Sequence, residues 1–234
     1  MNTLNSMDSQ IVYEKRCNKP LSKVLESKGI KYEFCDYATM MGRYLQNQDI
    51  DAIICLNSSV VPISIKYRKK DNSNNSFYWD IFFEIYCSGN VGKQGSIYYS
   101  QAAYQIYCTP THAYIIDIQP VDKIIRDMHV QLKYDIVKFK ENNIDKEKAL
   151  NHIVRTITIN GITFEKVYIT LSKSTSIKNS RKCETIGICL RRNTINWIVR
   201  TIFGIDEVAK VFSYDSFADE MNRTVRDEYF IIFI

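Results

Sequence analysis

The sequence predicts a mixed α/β fold, with a central sheet flanked by helices and a C-terminal α+β extension. Strand patterns over residues 50–56, 60–67 and 78–86 follow one another closely after two helical segments. A helix, a strand and another helix come next, an order typical of a sheet covered by helices. Hydrophobic residues make up 45% of the 234-residue chain, which is enough to build a buried core.

Helical and strand patterns alternate in the first half of the chain. Helical periodicity covers residues 9–28, where Pro20 is expected to divide the helix, and residues 36–47. The other elements predicted here are a helix over 98–106, a strand over 113–118 and a helix over 120–128 that Pro120 opens.

The second half contains one strong turn signal. Asn160-Gly161 lies between two strand-like runs and predicts a hairpin over residues 156–171. Further predicted elements are a strand near 186–191, helices over 206–212 and 215–226, and a strand over 229–234. We expect a core over residues 1–130. Residues 131–234 either extend its sheet or form a small second domain.

The chain is mildly basic, with a net charge of +5. This charge is compatible with a polyanionic partner without requiring one. Basic residues are clustered at Lys66, Arg68, Lys69 and Lys70, at Arg181-Lys182 and at Arg191-Arg192. The first cluster adjoins the candidate site described below, whereas the others are equally compatible with solvated loops.

Cysteine usage and the N-terminus favour a reducing, cytoplasm-like compartment. The seven cysteines form no CxxC pair and have no zinc-ligand spacing. The N-terminal residues contain no apolar signal segment, and no apolar run approaches the length of a membrane span. His112, His129 and His152 are scattered, so we expect them to be structural or at the surface. We found neither a phosphate loop nor a Gly-x-Ser-x-Gly motif.

The candidate site is a group of acids and a lysine on successive strand patterns. Asp51 opens one strand, Lys66 ends the next, and Asp80 and Glu84 lie on the third. Because side chains alternate along a strand, Ser64 and Lys66 share one face of theirs, and Asp80 and Glu84 share one face of theirs. Carboxylates gathered beside a lysine are suited to metal-dependent cleavage of a phosphodiester. Alternatively, Asp51 is a turn residue, and Asp80 and Glu84 form surface ion pairs with Lys66 and Arg68.

In this arrangement the segment resembles the core of the PD-(D/E)XK nuclease superfamily, especially its phage-type and mobile-element members. The resemblance covers roughly residues 33–118. The matching stretches are Arg43-Tyr44-Leu45-Gln46, Asp51, Ser64-Ile65-Lys66, Asp80, Glu84, Gly95 and the run from Ser100 to Tyr107. It departs from the family pattern at Ser64, where the family has an acid or Gln, and at Ala103, where the family often has Asp.

The resemblance implies a restriction-endonuclease-like sheet and a nuclease that uses Mg²⁺ or Mn²⁺. Asp51, Glu84 and Asp80 would bind the ion, and Lys66 would orient the attacking water. Gln46 or Glu33 would complete the surroundings of the site. The residues expected to contact nucleic acid, DNA rather than RNA, are Arg68, Lys69, Lys70, Arg191 and Arg192.

Two other functions remain open from the sequence. The first is a nucleic-acid-binding module without catalysis on the same fold, which Ser64 favours because serine is a poor metal ligand. The second is a viral structural or interaction protein with no nucleic-acid role. The source we expect is a phage, a virus or a mobile element. No membrane partner is expected, and a homodimer is one of the assemblies open to the chain.

Overall fold

A computed structural model describes residues 18–36, 38–56, 59–67, 80–87, 93–108, 112–142, 152–175, 182–206 and 209–213. The helices are α1 (residues 18–27), α2 (Met40–Gln46), α3 (Ile118–Glu141) and α4 (Arg192–Phe203), with a 3₁₀ turn at Ser96–Tyr98. The strands are β1 (Lys31–Phe34), β2 (Ala52–Leu56), β3 (Ser59–Tyr67), β4 (Asp80–Tyr86), β5 (Tyr104–Cys108), β6 (His112–Asp117), β7 (His152–Ile159), β8 (Ile162–Thr175), β9 (Lys182–Arg191) and β10 (Ala209–Ser213). The predicted mixed α/β class is confirmed.

The chain divides into two compact units that interleave along the sequence. We call them the six-stranded unit and the four-stranded unit. The described parts of the six-stranded unit are residues 18–36, 38–56, 59–67, 100–108, 112–119 and 209–213. The described parts of the four-stranded unit are residues 80–87, 93–99, 120–142, 152–175 and 182–206. The boundary expected near residue 130 is wrong, because that position lies inside the continuous helix α3.

The six-stranded unit is built on a mixed sheet with the strand order β1-β2-β3-β5-β6-β10. Strands β3 and β5 run parallel, and the other neighbours are antiparallel. Alternate residues of the central strands form one core with Leu21 and Leu25 of α1. On β3 these are Val61, Ile63 and Ile65. The opposite face of the sheet therefore carries Ser64 and Lys66.

The four-stranded unit is built on an antiparallel sheet with the order β4-β9-β8-β7. The predicted hairpin is confirmed, because β7 and β8 are joined at Asn160 and Gly161, with φ of 50° and 77°. Positive φ at both turn residues is what a tight two-residue hairpin needs. Helix α3 contacts β7 through an ion pair of 2.8 Å between Asp135 and Arg155.

Two predicted helices are wrong over the residues that the structure describes. Residues 104–108 form β5, a strand in which every residue is buried, so burial on both faces hides the alternation that would have marked it. Residues 209–213 form β10, which pairs with β6. The elements predicted over 215–226 and 229–234 lie outside the described residues. Among the helices described, none is both long and apolar enough to cross a membrane.

Candidate functional site on the six-stranded sheet

Asp51 immediately precedes β2 and is hydrogen-bonded to strand β3. Its backbone N–H donates to the carbonyl of Ile63 (2.8 Å), and its Oδ2 accepts a hydrogen bond from the backbone N–H of Ile65 (2.7 Å). These two partners flank Ser64 on β3. The carboxylate of Asp51 is thus held against the strand that carries Ser64 and Lys66, as the sequence pattern predicts.

Lys66 forms an ion pair with Asp49 on this face. Its Nζ donates to Oδ1 of Asp49 at 2.6 Å, with 31% of the lysine side chain and 10% of the aspartate side chain exposed. Burial lowers the pKa of Lys66, but the carboxylates of Asp49 and Asp51 more than offset this and leave it above its ordinary value. Lys66 therefore remains an ammonium ion. Its register partner on β5 is Tyr107.

Asp49 is the site residue that the sequence interpretation missed. It follows α2 in a turn, a place where an acid normally faces solvent, yet its side chain is nine-tenths buried. The one available signal was its spacing, two residues before Asp51 in the run Asp49-Ile50-Asp51. The ion pair of Asp49 with Lys66 spans 17 residues, so local pattern alone does not reveal it.

Two buried polar atoms of the site have no hydrogen-bond partner among the described residues. They are Oδ2 of Asp49 and Oγ of Ser64. Ser64 is completely buried, and its register partner on β5 is Gln105, which is also buried. An unpartnered buried oxygen normally costs stability. Two such oxygens, one in the turn that contacts Lys66 and one on the strand that carries it, are compatible with a ligand-binding site.

Cys35 is a poor candidate for a nucleophile beside this site. Its backbone N–H donates to the carbonyl of Asp51 at 2.9 Å. Burial, reinforced by the charges of Asp51 and Glu33, raises the pKa of the Cys35 thiol to about 11. The thiol is therefore protonated at neutral pH, and a thiolate mechanism is not supported here.

The structure does not place Asp80 and Glu84 beside Lys66 in a sheet. Both are on β4, which pairs with β9, where Asp80 is opposite Arg191 and Glu84 is opposite Gly187. The expectation that β4 neighbours β3 is wrong, because β2 and β5 occupy the two edges of β3. Over the described residues there is also no group of three or more acidic, histidine or cysteine side chains suited to a metal ion.

The predicted nucleic-acid contacts are distributed over several parts of the chain. Arg68, Lys69 and Lys70 lie outside the described residues. Arg191 ends β9 with an exposed side chain, and Arg192 begins α4 and is half-buried. Both arginines belong to the four-stranded unit. Gln46 and Glu33 are exposed in the six-stranded unit.

A second polar cluster lies in the four-stranded unit, around His129 of α3. Hydrogen bonds join its Nε2 to the hydroxyl of Tyr86 (2.8 Å) and its Nδ1 to the hydroxyl of Tyr98. Burial, with a smaller effect from Lys133, lowers the pKa of His129. Both ring nitrogens are thus engaged within the protein, as expected for a structural histidine.

Comparison with known proteins gives no match to a family model, to a curated sequence or to a solved structure.

Proposed function

We propose that this protein is a nuclease of the PD-(D/E)XK type that hydrolyses phosphodiester bonds with a divalent ion, with DNA as its substrate. The observation that carries the proposal is the juxtaposition of Asp51, Ser64 and Lys66, where Ser64 and Lys66 lie on the face of β3 opposite α1 and Lys66 is held as a cation. We further propose that it acts in a reducing compartment. In support, Cys35, Cys55, Cys87, Cys108 and Cys189 are free thiols.

The donor atoms on this face are compatible with Mg²⁺ or Mn²⁺. These ions prefer oxygen ligands and are commonly held by one or two carboxylates together with substrate phosphates and water. Asp51 would supply the carboxylate, and the buried hydroxyl of Ser64, which lacks a hydrogen-bond partner among the described residues, would be a weaker ligand beside it. When bound, such an ion would polarise the phosphate and lower the pKa of a water molecule.

The protein's own contribution would come from the fixed positions of Asp51 and Lys66. In the reaction, a water oxygen forms a bond to phosphorus, the bond from phosphorus to one ester oxygen breaks, and the leaving oxygen gains a proton. The Lys66 ammonium would donate hydrogen bonds to the phosphate oxygens on which negative charge develops. The hydrogen bond from Ile65 would keep the Asp51 carboxylate from rotating away from this face.

A second candidate function is nucleic-acid binding without cleavage. Ser64 favours it, because this position would supply a carboxylate in the family that the segment resembles. The membership of Asp80 and Glu84 in the other sheet also favours it, because neither stands on a strand next to Lys66. In this case Lys66 would hold a phosphate by charge alone, and the affinity would fall steeply with salt.

Cleavage assays with plasmid, single-stranded DNA and RNA, in Mn²⁺, Mg²⁺ or EDTA, separate the two functions. We expect cutting that depends on the metal and is lost in Lys66→Ala. Lys31→Ala is the matched control, because Lys31 is exposed on β1 and its removal changes the net charge equally. Salt-sensitive binding by the wild type without cutting in any metal would support the binding module instead.

A further inference from the structure

Asp49 occupies a backbone position where glycine is usual. Its φ is 57°, in the left-handed region. The turn closes α2 with hydrogen bonds from the N–H of Ile50 to the carbonyl of Leu45 and from the N–H of Asp49 to the carbonyl of Gln46, both 3.0 Å. Helices that end in this way usually place glycine at the left-handed residue, because a Cβ is strained there, and aspartate is among the few other residues that adopt this conformation. The backbone of this turn therefore tolerates an aspartate but does not require one.

Burial of the Asp49 side chain opposes folding as well. The side chain is only 10% exposed, and its Oδ2 has no hydrogen-bond partner among the described residues. A buried carboxylate oxygen without a partner loses hydration that nothing replaces. The left-handed backbone and the buried Oδ2 are both unfavourable, and the favourable contact that offsets them is the ion pair of Oδ1 with Lys66 Nζ. Local strain kept at such a position points to a functional requirement.

We propose that Asp49 is a positioning residue that holds the Lys66 ammonium in place for the reaction, an inference that rests on the proposed function of Lys66. A lysine side chain has four rotatable carbon bonds and no preferred direction of its own. Asp49 fixes its end from a turn that is itself anchored, because the carbonyl of Gln48 accepts a hydrogen bond from the N–H of Gln101 at 2.9 Å. Asp51 and Tyr107 are the other titratable groups that act on Lys66.

Two substitutions separate positioning from structural support. Asp49→Gly removes the carboxylate and relieves the left-handed backbone, whereas Asp49→Asn keeps the shape of the side chain and removes its charge. Both variants leave the Lys66 ammonium without its ion-pair partner, so we expect a lower Tm in each, and a smaller loss in Asp49→Gly because glycine relieves the left-handed backbone. Cleavage is therefore measured at a temperature at which all variants are fully folded. We also expect kcat to fall at least about tenfold with KM little changed, because the ammonium is no longer oriented. NMR relaxation of the Lys66 side chain should show a more mobile ammonium group in both.

Asn160→Gly is the matched control for the backbone effect. Asn160 is also left-handed, with φ of 50°, but lies at the exposed hairpin turn of the four-stranded unit. This variant should keep or raise the Tm without affecting cleavage. Cleavage by Asp49→Gly that equals that of the wild type wherever the variant is fully folded would overturn the positioning role, because Asp49 would then be structural. Unchanged cleavage in Asp49→Asn would overturn it as well.

The failure of the proposed function would give a different result. If the wild type binds nucleic acid but does not cut it, the nuclease proposal fails, and the positioning role is judged on binding. Asp49→Asn should then make the Lys66 side chain more mobile and weaken binding, as Lys66→Ala does. Unchanged mobility of Lys66 in Asp49→Asn, or nucleic-acid binding that does not depend on Lys66, would contradict the positioning role.

Discussion

Ser64 stands two residues before Lys66 on β3, and its side chain determines how an ion would be held at this face. The residue is completely buried, and its hydroxyl has no hydrogen-bond partner among the described residues. A serine in this place supplies no carboxylate where the family pattern has an acid, and the Asp51 carboxylate is bonded to the next residue of the strand, Ile65. The site should therefore bind a divalent ion weakly until substrate phosphate adds its own oxygens.

Ser64→Asp should convert this weak ion site into a stronger one. Without metal, we expect the buried carboxylate to reduce the free energy of unfolding by at least about 2 kcal/mol. Mn²⁺ should restore much of that loss, because an ion that binds only the folded state stabilises it. Thermal unfolding with increasing Mn²⁺ measures both effects.

Ser96→Asp provides the matched control for that experiment. Ser96 is 4% exposed and lies in the four-stranded unit, away from β3 in the sequence. This variant should lose stability but regain none with Mn²⁺. An equal response of the two variants to Mn²⁺ would argue against an ion site at Ser64.

At the scale of elements, α3 is joined to β4 and to the 3₁₀ turn through one buried histidine. His129 makes hydrogen bonds to the hydroxyls of Tyr86 and Tyr98, and Arg126 donates to the carbonyl of Ile97 at 2.6 Å. A neutral histidine donates from one nitrogen and accepts at the other, so one tyrosine donates and the other accepts. Protonation would force both tyrosines to accept.

The stability of the protein should therefore depend on His129 in mildly acidic solution. Its pKa in the folded state lies below the ordinary value of 6.5, so the unfolded chain takes up the proton first. The contribution is complete above pH 6.5 and decreases as the pH falls towards the folded-state pKa. Urea unfolding of the wild type and His129→Gln at several pH values should show this dependence only in the wild type.

His152→Gln is the control for the histidine experiment. His152 is exposed on β7 and takes no part in the cluster of His129, Tyr86 and Tyr98. This variant should keep the pH dependence of the wild type. If the pH dependence survives in His129→Gln and disappears in His152→Gln, then His152 causes it, and the prediction for His129 is wrong.

Secondary-structure elements with a clear local sequence pattern were predicted well, whereas the strands with which they pair in a sheet were not. The alternation in β3 and the Asn160-Gly161 turn depend on neighbouring residues, and the structure has both. Strand β5 was missed because burial on both faces removes the alternation. The pairing of β4 with β9 joins residues about a hundred positions apart, and the sequence of β4 alone contains no mark of that partner.

The same limit applied to the candidate site. Asp51 and Lys66 were predicted together because Asp51 immediately precedes β2, and β2 forms a local hairpin with β3, which carries Lys66. Asp49 was missed because its role depends on a left-handed turn and on burial, which are set by the folded chain. Glu84 was assigned to the site on the assumption that successive strands are neighbours, which holds for β2 and β3 and fails for β4.

At the scale of the whole molecule, segments of the two units alternate along the sequence. Strand β4 lies in the first half of the sequence, and its partner β9 lies in the second. Strand β6 likewise pairs with β10, near the opposite end. Each sheet therefore draws strands from both halves of the sequence, and a cut near residue 130 would remove a partner from each and interrupt α3.

A fragment of residues 1–130 should not fold as an independent domain. It would contain β4 without β9 and β6 without β10, so each of these strands loses the partner on one edge. We expect a poorly dispersed NMR spectrum and no cooperative unfolding transition, in contrast to the full chain. A well-dispersed spectrum with cooperative unfolding would show that the first 130 residues form a domain after all.

The most direct measurement is the single-turnover rate of DNA cleavage in Mn²⁺ by the wild type and Asp51→Asn. The asparagine keeps an oxygen that can accept the hydrogen bond from Ile65, so the strand contact is preserved while the charge is removed. Asp127→Asn, at an exposed position on α3, is the control for charge. We predict Mn²⁺-dependent cleavage by the wild type and Asp127→Asn, and its loss in Asp51→Asn. Equal rates in all three proteins, or no cleavage by any of them, would contradict a nuclease site at Asp51 and Lys66.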